Sequence, residues 1–287
     1  VPRTIAQGFD KLKSNVEITG LQESTVSTRQ TTVRQAVEAR MAVLESFLVG
    51  SYRRSTMVAP LSEADVDIFV IVDPKYYRPD GQIYLLDAVR ASLKERYKTP
   101  AISRNGQAVT IRFDDFWVDV VPSFRRQGGG YLIPDSERHV WIETDPKQHI
   151  ALWAAANKAH SGNVLPIMKM MKAWNKEHSE PLRSFPLEVL VLRSLEGVRI
   201  DDFFSGVRYV FDKARALVRA PNLDPAGFGG DVGAYLDSRE AIDRVVSRLE
   251  SGYARALEAE SAERYNRTDQ AYAKWRIVFG DYFPSYG

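Results

Sequence analysis

Two aspartates one residue apart, Asp65 and Asp67, open the apolar run DVDIFVIV, and a Gly50-Ser51 pair stands about fifteen residues ahead of them. On a strand, side chains at i and i+2 share a face, so the two carboxylates project together. Carboxylates that close repel each other, and one keeps its proton unless a cation lies between them. A hard divalent ion such as Mg2+ suits the pair, because it takes carboxylate oxygen together with water and substrate phosphate. A site for two ions about 3.5–4 Å apart needs a third carboxylate. Asp119, inside the apolar segment WVDVV, is the candidate. A charge on a buried strand is costly without a partner, and a neighbouring strand could bring it to Asp65 and Asp67. Gly50 lets backbone approach a phosphate closely, and Ser51 offers both an N–H and a hydroxyl. Plainer readings stand beside this one. An Asp-x-Asp is also a common solvated strand end, and Asp119 alone could face water at an edge. Asp114 and Asp115 read as turn formers.

The elements that would position these groups follow from periodicity. Residues from about Glu23 to Leu48 read as one long helix, with Val33, Val37, Val43, Leu44, Phe47 and Leu48 at near-helical spacing and Gly50 as its stop. DIFVIV, Asp67 to Val72, reads as a strand closed by Asp73-Pro74. LLDAVRASLKERY reads as an amphipathic helix. AVTIRF and FWVDVVPSF read as neighbouring strands joined by Asp114-Asp115, with a glycine loop at 127–130 after them. Beyond Asp145-Pro146 the pattern is mostly helical: HIALWAAANKAH, VLPIMKMMKAWNKEH, PLEVLVLRSLEG, VRYVFDKARALVRA and a last stretch from about Ser238 to Phe279. One loop, PNLDPAGFGGD, interrupts it. The expectation is an α+β chain in two parts: a mixed sheet with helices and a long N-terminal helix over 1–150, then a helical domain over 151–287.

Several function classes are disfavoured. There is no cysteine, which rules out disulfides, thiolate metal sites and a cysteine nucleophile. The net charge is only +2, not the strong basic bias of a protein gripping long nucleic acid. No signal peptide is visible, and no stretch approaches about 18 to 20 uninterrupted apolar residues; a cytoplasmic location without membrane contact is expected. His139, His149, His160 and His178 lack HxxxH or HExxH spacing, which disfavours zinc. No GxSxG elbow appears.

Gly50-Ser51, then Arg53 and Thr56, then Asp65-Val66-Asp67 with a distal third Asp resemble the pattern of the polymerase-β-like nucleotidyltransferases. The wording GSYRRSTMVAPLSEADVDIFVIV is most similar to the bacterial CD-NTases, relatives of cGAS and oligoadenylate synthase (OAS) that make cyclic oligonucleotide signals in the anti-phage CBASS systems. PIMKMMKAWN resembles the family helix whose lysine binds triphosphate, here Lys172. RSFPLEVLVL resembles the next segment, which implies that Ser184 touches the triphosphate and Phe185 stacks on the donor base. NLDPAG resembles the Asp-Pro loop of the helical half. YAKWRIVFGDYF is similar to C-terminal helices of CD-NTases found beside HORMA-type regulators. Thr144 falls where family members contact a base, which leans toward a purine.

The residues also carry readings of their own. Ile167, Met168, Met171 and Trp174 can pack inward, and Lys169, Lys172 and Lys176 then share one stripe, either facing a triphosphate or solvated. Ser184 could simply cap the helix beginning near Pro186, and Phe185 could be core.

The resemblance implies a polymerase-β-like core plus a C-terminal helical domain in the OAS/cGAS-like bilobal arrangement. It implies a Mg2+-dependent enzyme joining ribonucleoside triphosphates into a cyclic product. Asp65 and Asp67 would bridge two ions, with Mn2+ as a substitute for Mg2+, and Asp119 would hold the ion next to the acceptor hydroxyl. Gly50 and Ser51 would hold the donor phosphates. ATP is the favoured substrate and GTP the next; a HORMA-type regulator and a nucleic-acid activator are the expected partners. Two alternatives remain. One is transfer of a nucleotide to RNA or a small molecule, against which the modest charge speaks. The other is a silent nucleotide-binding module, against which the intact carboxylate set speaks.

Overall fold

The computed structural model describes residues 2–18, 21–60, 62 and 65–287, with residues 21–23 as backbone only. Its sheet has seven strands, and its centre is β2 (Asp65–Val72), flanked by β1 (Val43–Leu48) and β5 (Trp117–Arg125). β1 pairs antiparallel to β2, β5 parallel to it. β4 (Ala108–Arg112) and β3 (Ala101–Asn105) continue antiparallel beyond β5. β6 (Tyr131–Asp135) pairs with the far end of β5 and with β7 (Val140–Thr144). The sheet is therefore mixed, as an α+β chain requires.

Alternation along β2 explains how an apolar strand can open with two acids. Val66, Ile68, Val70 and Val72 turn to one face, where Val118 and Val120 of β5 join them in a core with Leu85, Leu86, Val89 and Leu93. Those leucines and Val89 come from α4 (Gln82–Arg96). Asp65, Asp67, Phe69 and Ile71 turn to the other face. There Phe69 and Ile71 enter a second cluster with Val121, Tyr131 and Ile133. Asp65 and Asp67 stand at the N-terminal end of that face, Asp65 exposed and Asp67 half-buried.

Residues 43–48 correct the expected long helix. α2 (Leu21–Glu38) ends well before them, and Val43 to Leu48 pair in register with Val72 to Ile68. Apolar residues at 43, 44, 47 and 48 fit a helix face, but the edge of β2 would otherwise expose unpaired backbone groups, and strand pairing satisfies them. β3, β6 and β7 were not anticipated, nor was α1 (Ile5–Val16), which opens with a Thr4–Gln7 capping box.

The chain divides into two units, Ile18–Leu152 and a second made of residues up to Glu17 with Trp153–Gly287. The second unit contains α1, the second half of α5 (Pro146–Ala159), and α6 (Val164–Glu177), α7 (Ser184–Leu195), α8 (Phe203–Leu217), α9 (Arg239–Arg264) and α10 (Thr268–Phe279). The expected last helical stretch is thus two helices, broken at 265–267. Within this unit Phe9 of α1 meets Trp275 at 4.8 Å and Phe283 at 5.4 Å between ring centroids. No described helix is long and apolar enough to cross a membrane.

Candidate active site

The parallel pairing of β2 and β5 sets Asp67 opposite Asp119 and Asp65 opposite Trp117. One carboxylate oxygen from each of Asp65, Asp67 and Asp119 lies within 4.8 Å of the others. Asp65 is exposed, Asp67 half-buried and Asp119 only 8% exposed, so the cluster runs from water into the sheet.

Asp119 has an unfavourable setting without a cation. Its Oδ1 is sealed from water and accepts no hydrogen bond, and the hydroxyl of Thr110, its partner in register on β4, is likewise unpaired. Burial pushes the Asp119 carboxyl up to about 6; the neighbouring Thr110 hydroxyl pulls it down, the Asp65 charge pushes it up, and Arg112 pulls it down. Burial is the largest of these effects. A buried carboxylate oxygen with no donor, beside two further carboxylates, fits a hard divalent cation that binds oxygen. The triad can therefore hold metal.

Gly50 is fixed beside this cluster by geometry. It begins the short helix α3 (Gly50–Arg53) directly after β1, with φ of 63°. A Cβ there would stand 1.6 Å from Asp67 Oδ2, so only glycine lets the turn and the carboxylate coexist. The Val49 N–H donates to the Asp67 carbonyl at 3.0 Å, and the Ser51 carbonyl accepts from the Thr56 and Met57 N–H groups. Gly50 and Ser51 are thereby held on the β1 side of Asp67.

Thr144 is not brought to the carboxylates. It closes β7 opposite Tyr131, which pairs with Arg125 on β5. Arg125 lies six residues along β5 from Asp119, roughly 20 Å of strand.

In the helical unit the lysine stripe differs from a solvated or open cationic face. Lys169 and Lys172 are both buried. Lys169 pairs with Glu17 at 2.5 Å, and Lys172 pairs with Glu188 Oε1 at 3.0 Å. The other Glu188 oxygen accepts the indole N–H of Trp153 at 2.9 Å. Trp153 in turn stacks on Phe185 at 5.7 Å with 12° between the rings. Lys172 and Phe185 are thus joined through Glu188 and Trp153. Ser184 is the first residue of α7 and not its cap, which is Arg183. The loop after α8 secures that turn: Asn222 Nδ2 donates to the Pro186 carbonyl at 2.8 Å, and the Tyr235 hydroxyl accepts from the Arg183 N–H at 2.9 Å.

Sequence reasoning missed Thr110, Arg112 and Trp117, although alternation in TIR and WVD places all three on the face of Asp119. It also missed Glu188, a lone acid inside an apolar helix, which is itself a signal for a buried ion pair.

Known structures with this architecture include the CdnC:HORMA-deltaN complex of Escherichia coli MS115-1, with a TM-score of 0.77 at 15% identity, covering 98% of each chain. Vibrio cholerae DncV in its GTP-bound form matches with a TM-score of 0.68 at 17% identity, over 97% of this chain and 86% of that one. The fold is that of the CD-NTases. In sequence, the Cyclic AMP-AMP-AMP synthase of an Acinetobacter strain is 29% identical, over 98% of this chain and 86% of the relative. Residues 4–157 match the model of the SMODS family, the Second Messenger Oligonucleotide or Dinucleotide Synthetase domain. The chain belongs to that family. It is a nucleotidyltransferase that synthesises an oligonucleotide second messenger.

Proposed function

We propose that the protein joins ribonucleoside triphosphates, ATP first among them, into a cyclic oligonucleotide, with the reaction centred on Asp65, Asp67 and Asp119. The observation that carries this reading is the convergence of the three carboxylates beside the Gly50 turn, one of them with a buried, unpartnered oxygen. Asp65, Asp67 and Asp119 would hold two Mg2+ ions, which when bound supply charge neutralisation for the triphosphate and acidity to the acceptor hydroxyl. Mn2+ would serve in their place.

The remaining work falls to the chain. Gly50 brings backbone close to the donor phosphates, and Ser51 donates its N–H and hydroxyl to them. In the helical unit, the same reading assigns Lys172 and Ser184 to the triphosphate and Phe185 to the donor base. A lysine ammonium has three N–H donors, so its bond to Glu188 does not exhaust it. The acceptor 2′- or 3′-oxygen attacks the α-phosphorus in line; a new P–O bond forms as the α–β bond breaks, and pyrophosphate leaves with its electron pair. The hydroxyl proton departs to solvent. Repetition and closure on the first nucleotide give the ring. The same reading assigns Thr144, at the end of β7, to a base contact.

The synthase named for the Acinetobacter relative supports ATP as substrate, and the HORMA complex of the E. coli structure supports a HORMA-type regulator as partner. The site lies in a family for which an anti-phage signalling role is our reading.

The test is mass spectrometry of the product formed from all four ribonucleoside triphosphates with Mg2+, with and without a HORMA-type protein. A phosphatase-resistant product built of AMP units is expected, in greater yield with the regulator. A linear product retaining a terminal phosphate, or label transferred to added RNA, would overturn the cyclic reading.

A further inference from the structure

The open end of the sheet is laid out in two rows. Across β2, β5 and β4 the first row is Asp67, Asp119 and Thr110; the second is Asp65, Trp117 and Arg112. Residues directly opposite across neighbouring strands share a face, and so do i and i+2 along one strand. Trp117 and Arg112 therefore stand on the face that carries the carboxylates, with Trp117 next to Asp65. The function proposed above uses neither of them.

Packing does not explain an indole at this position. Trp117 is 44% exposed, whereas Phe116 and Val118, turned to the opposite face, are buried. The Arg112 guanidinium lies over the indole, 4.6 Å from its centroid, and so restrains the ring. The location also separates two ligands. Gly50 and Ser51 abut Asp67 from the β1 side, which assigns the donor phosphates to that side. Trp117 and Arg112 lie on the other side of the carboxylates, toward β4. On the proposed reading, that side is left to the attacking hydroxyl.

We infer that Trp117 binds the acceptor nucleotide, its indole stacking on the acceptor base while Arg112 holds the indole in place. The inference rests on the reading of the triad as the nucleotidyl-transfer site. Stacking on an aromatic plane tolerates any base, because every base has a π-face. That suits a surface that first receives a single triphosphate and then the end of a growing chain.

The experiment separates the two substrate roles. 2′,3′-Dideoxy-ATP has no acceptor hydroxyl and can only donate; α,β-methylene-ATP cannot release pyrophosphate and can only accept. Their single ligation is followed by pyrophosphate release in wild type, Trp117→Ala, Trp117→Phe and Asp119→Asn. Trp117→Ala is expected to raise the acceptor KM by about tenfold or more, leaving the donor KM within about twofold. Trp117→Phe, which keeps an aromatic plane, should raise the acceptor KM less than Trp117→Ala does. The melting temperature of Trp117→Ala should match wild type, because the side chain is largely exposed. An unchanged acceptor KM, or donor and acceptor KM rising together, would overturn the assignment. Asp119→Asn reports on the underlying reading: turnover surviving there refutes the site itself. Its loss, alongside an unaltered acceptor KM in Trp117→Ala, refutes this inference alone.

Discussion

Asp119 is buried, and its Oδ1 accepts no hydrogen bond. Burial raises its carboxyl from the ordinary 3.8 to about 6, so the metal-free fold holds it protonated below about pH 6. The stability this contributes is fully present below about pH 4 and is lost as pH rises through about 6. Asp119→Asn removes the titration while keeping the shape. In chelator, the variant should therefore unfold at nearly the same denaturant concentration as wild type near pH 4. At pH 7.5 it should be more stable, by on the order of 2 kcal/mol. Adding Mg2+ at pH 7.5 should stabilise wild type and not the variant. Equal differences at both pH values would show that Asp119 does not carry the strain. The three aspartates were legible at this scale because acids in apolar strands are costly and stand out. Trp117 was not, since an aromatic in a strand reads as core until its exposure is known.

At the scale of elements, α6 and α7 are locked by one buried ion pair. Glu188 is fully buried, Lys172 nearly so, and Trp153 of α5 also donates to the carboxylate. Breaking such a pair strands a buried charge. Glu188→Ala should lower the free energy of unfolding by about 3–5 kcal/mol, measured by urea denaturation followed by circular dichroism. Glu188→Gln, which can still accept from Trp153, should recover part of it. A loss within about 1 kcal/mol would mean that the pair contributes little. The helices here were legible from their 3.6-residue period, which α6 keeps across VLPIMKMMKAW. β1 was misread because VLESFL satisfies both periods, and only its pairing with β2 decides. β3 and β7 escaped because short strands with mainly exposed or half-buried residues leave little alternation to read.

At the scale of the whole molecule, the family match spans residues 4–157 and the similarity to the Acinetobacter relative 98% of the chain. The α+β class was legible from the change in pattern near residue 150. The membership of α1 in the helical unit was not, because nothing in IAQGFDKLKSNV reveals that Phe9 meets Trp275 and Phe283, more than two hundred and fifty residues away. Long-range packing of this kind has no local sequence sign. The triad is the opposite case: acids in two apolar strands pointed to one set, and the β2–β5 register sets Asp67 opposite Asp119.

The most direct measurement is pyrophosphate release from ATP and Mg2+ by wild type and by the Asp67→Asn, Asp119→Asn double variant, with folding of both verified by circular dichroism. Wild type should release pyrophosphate and the folded double variant essentially none. Normal release by the double variant would contradict the account.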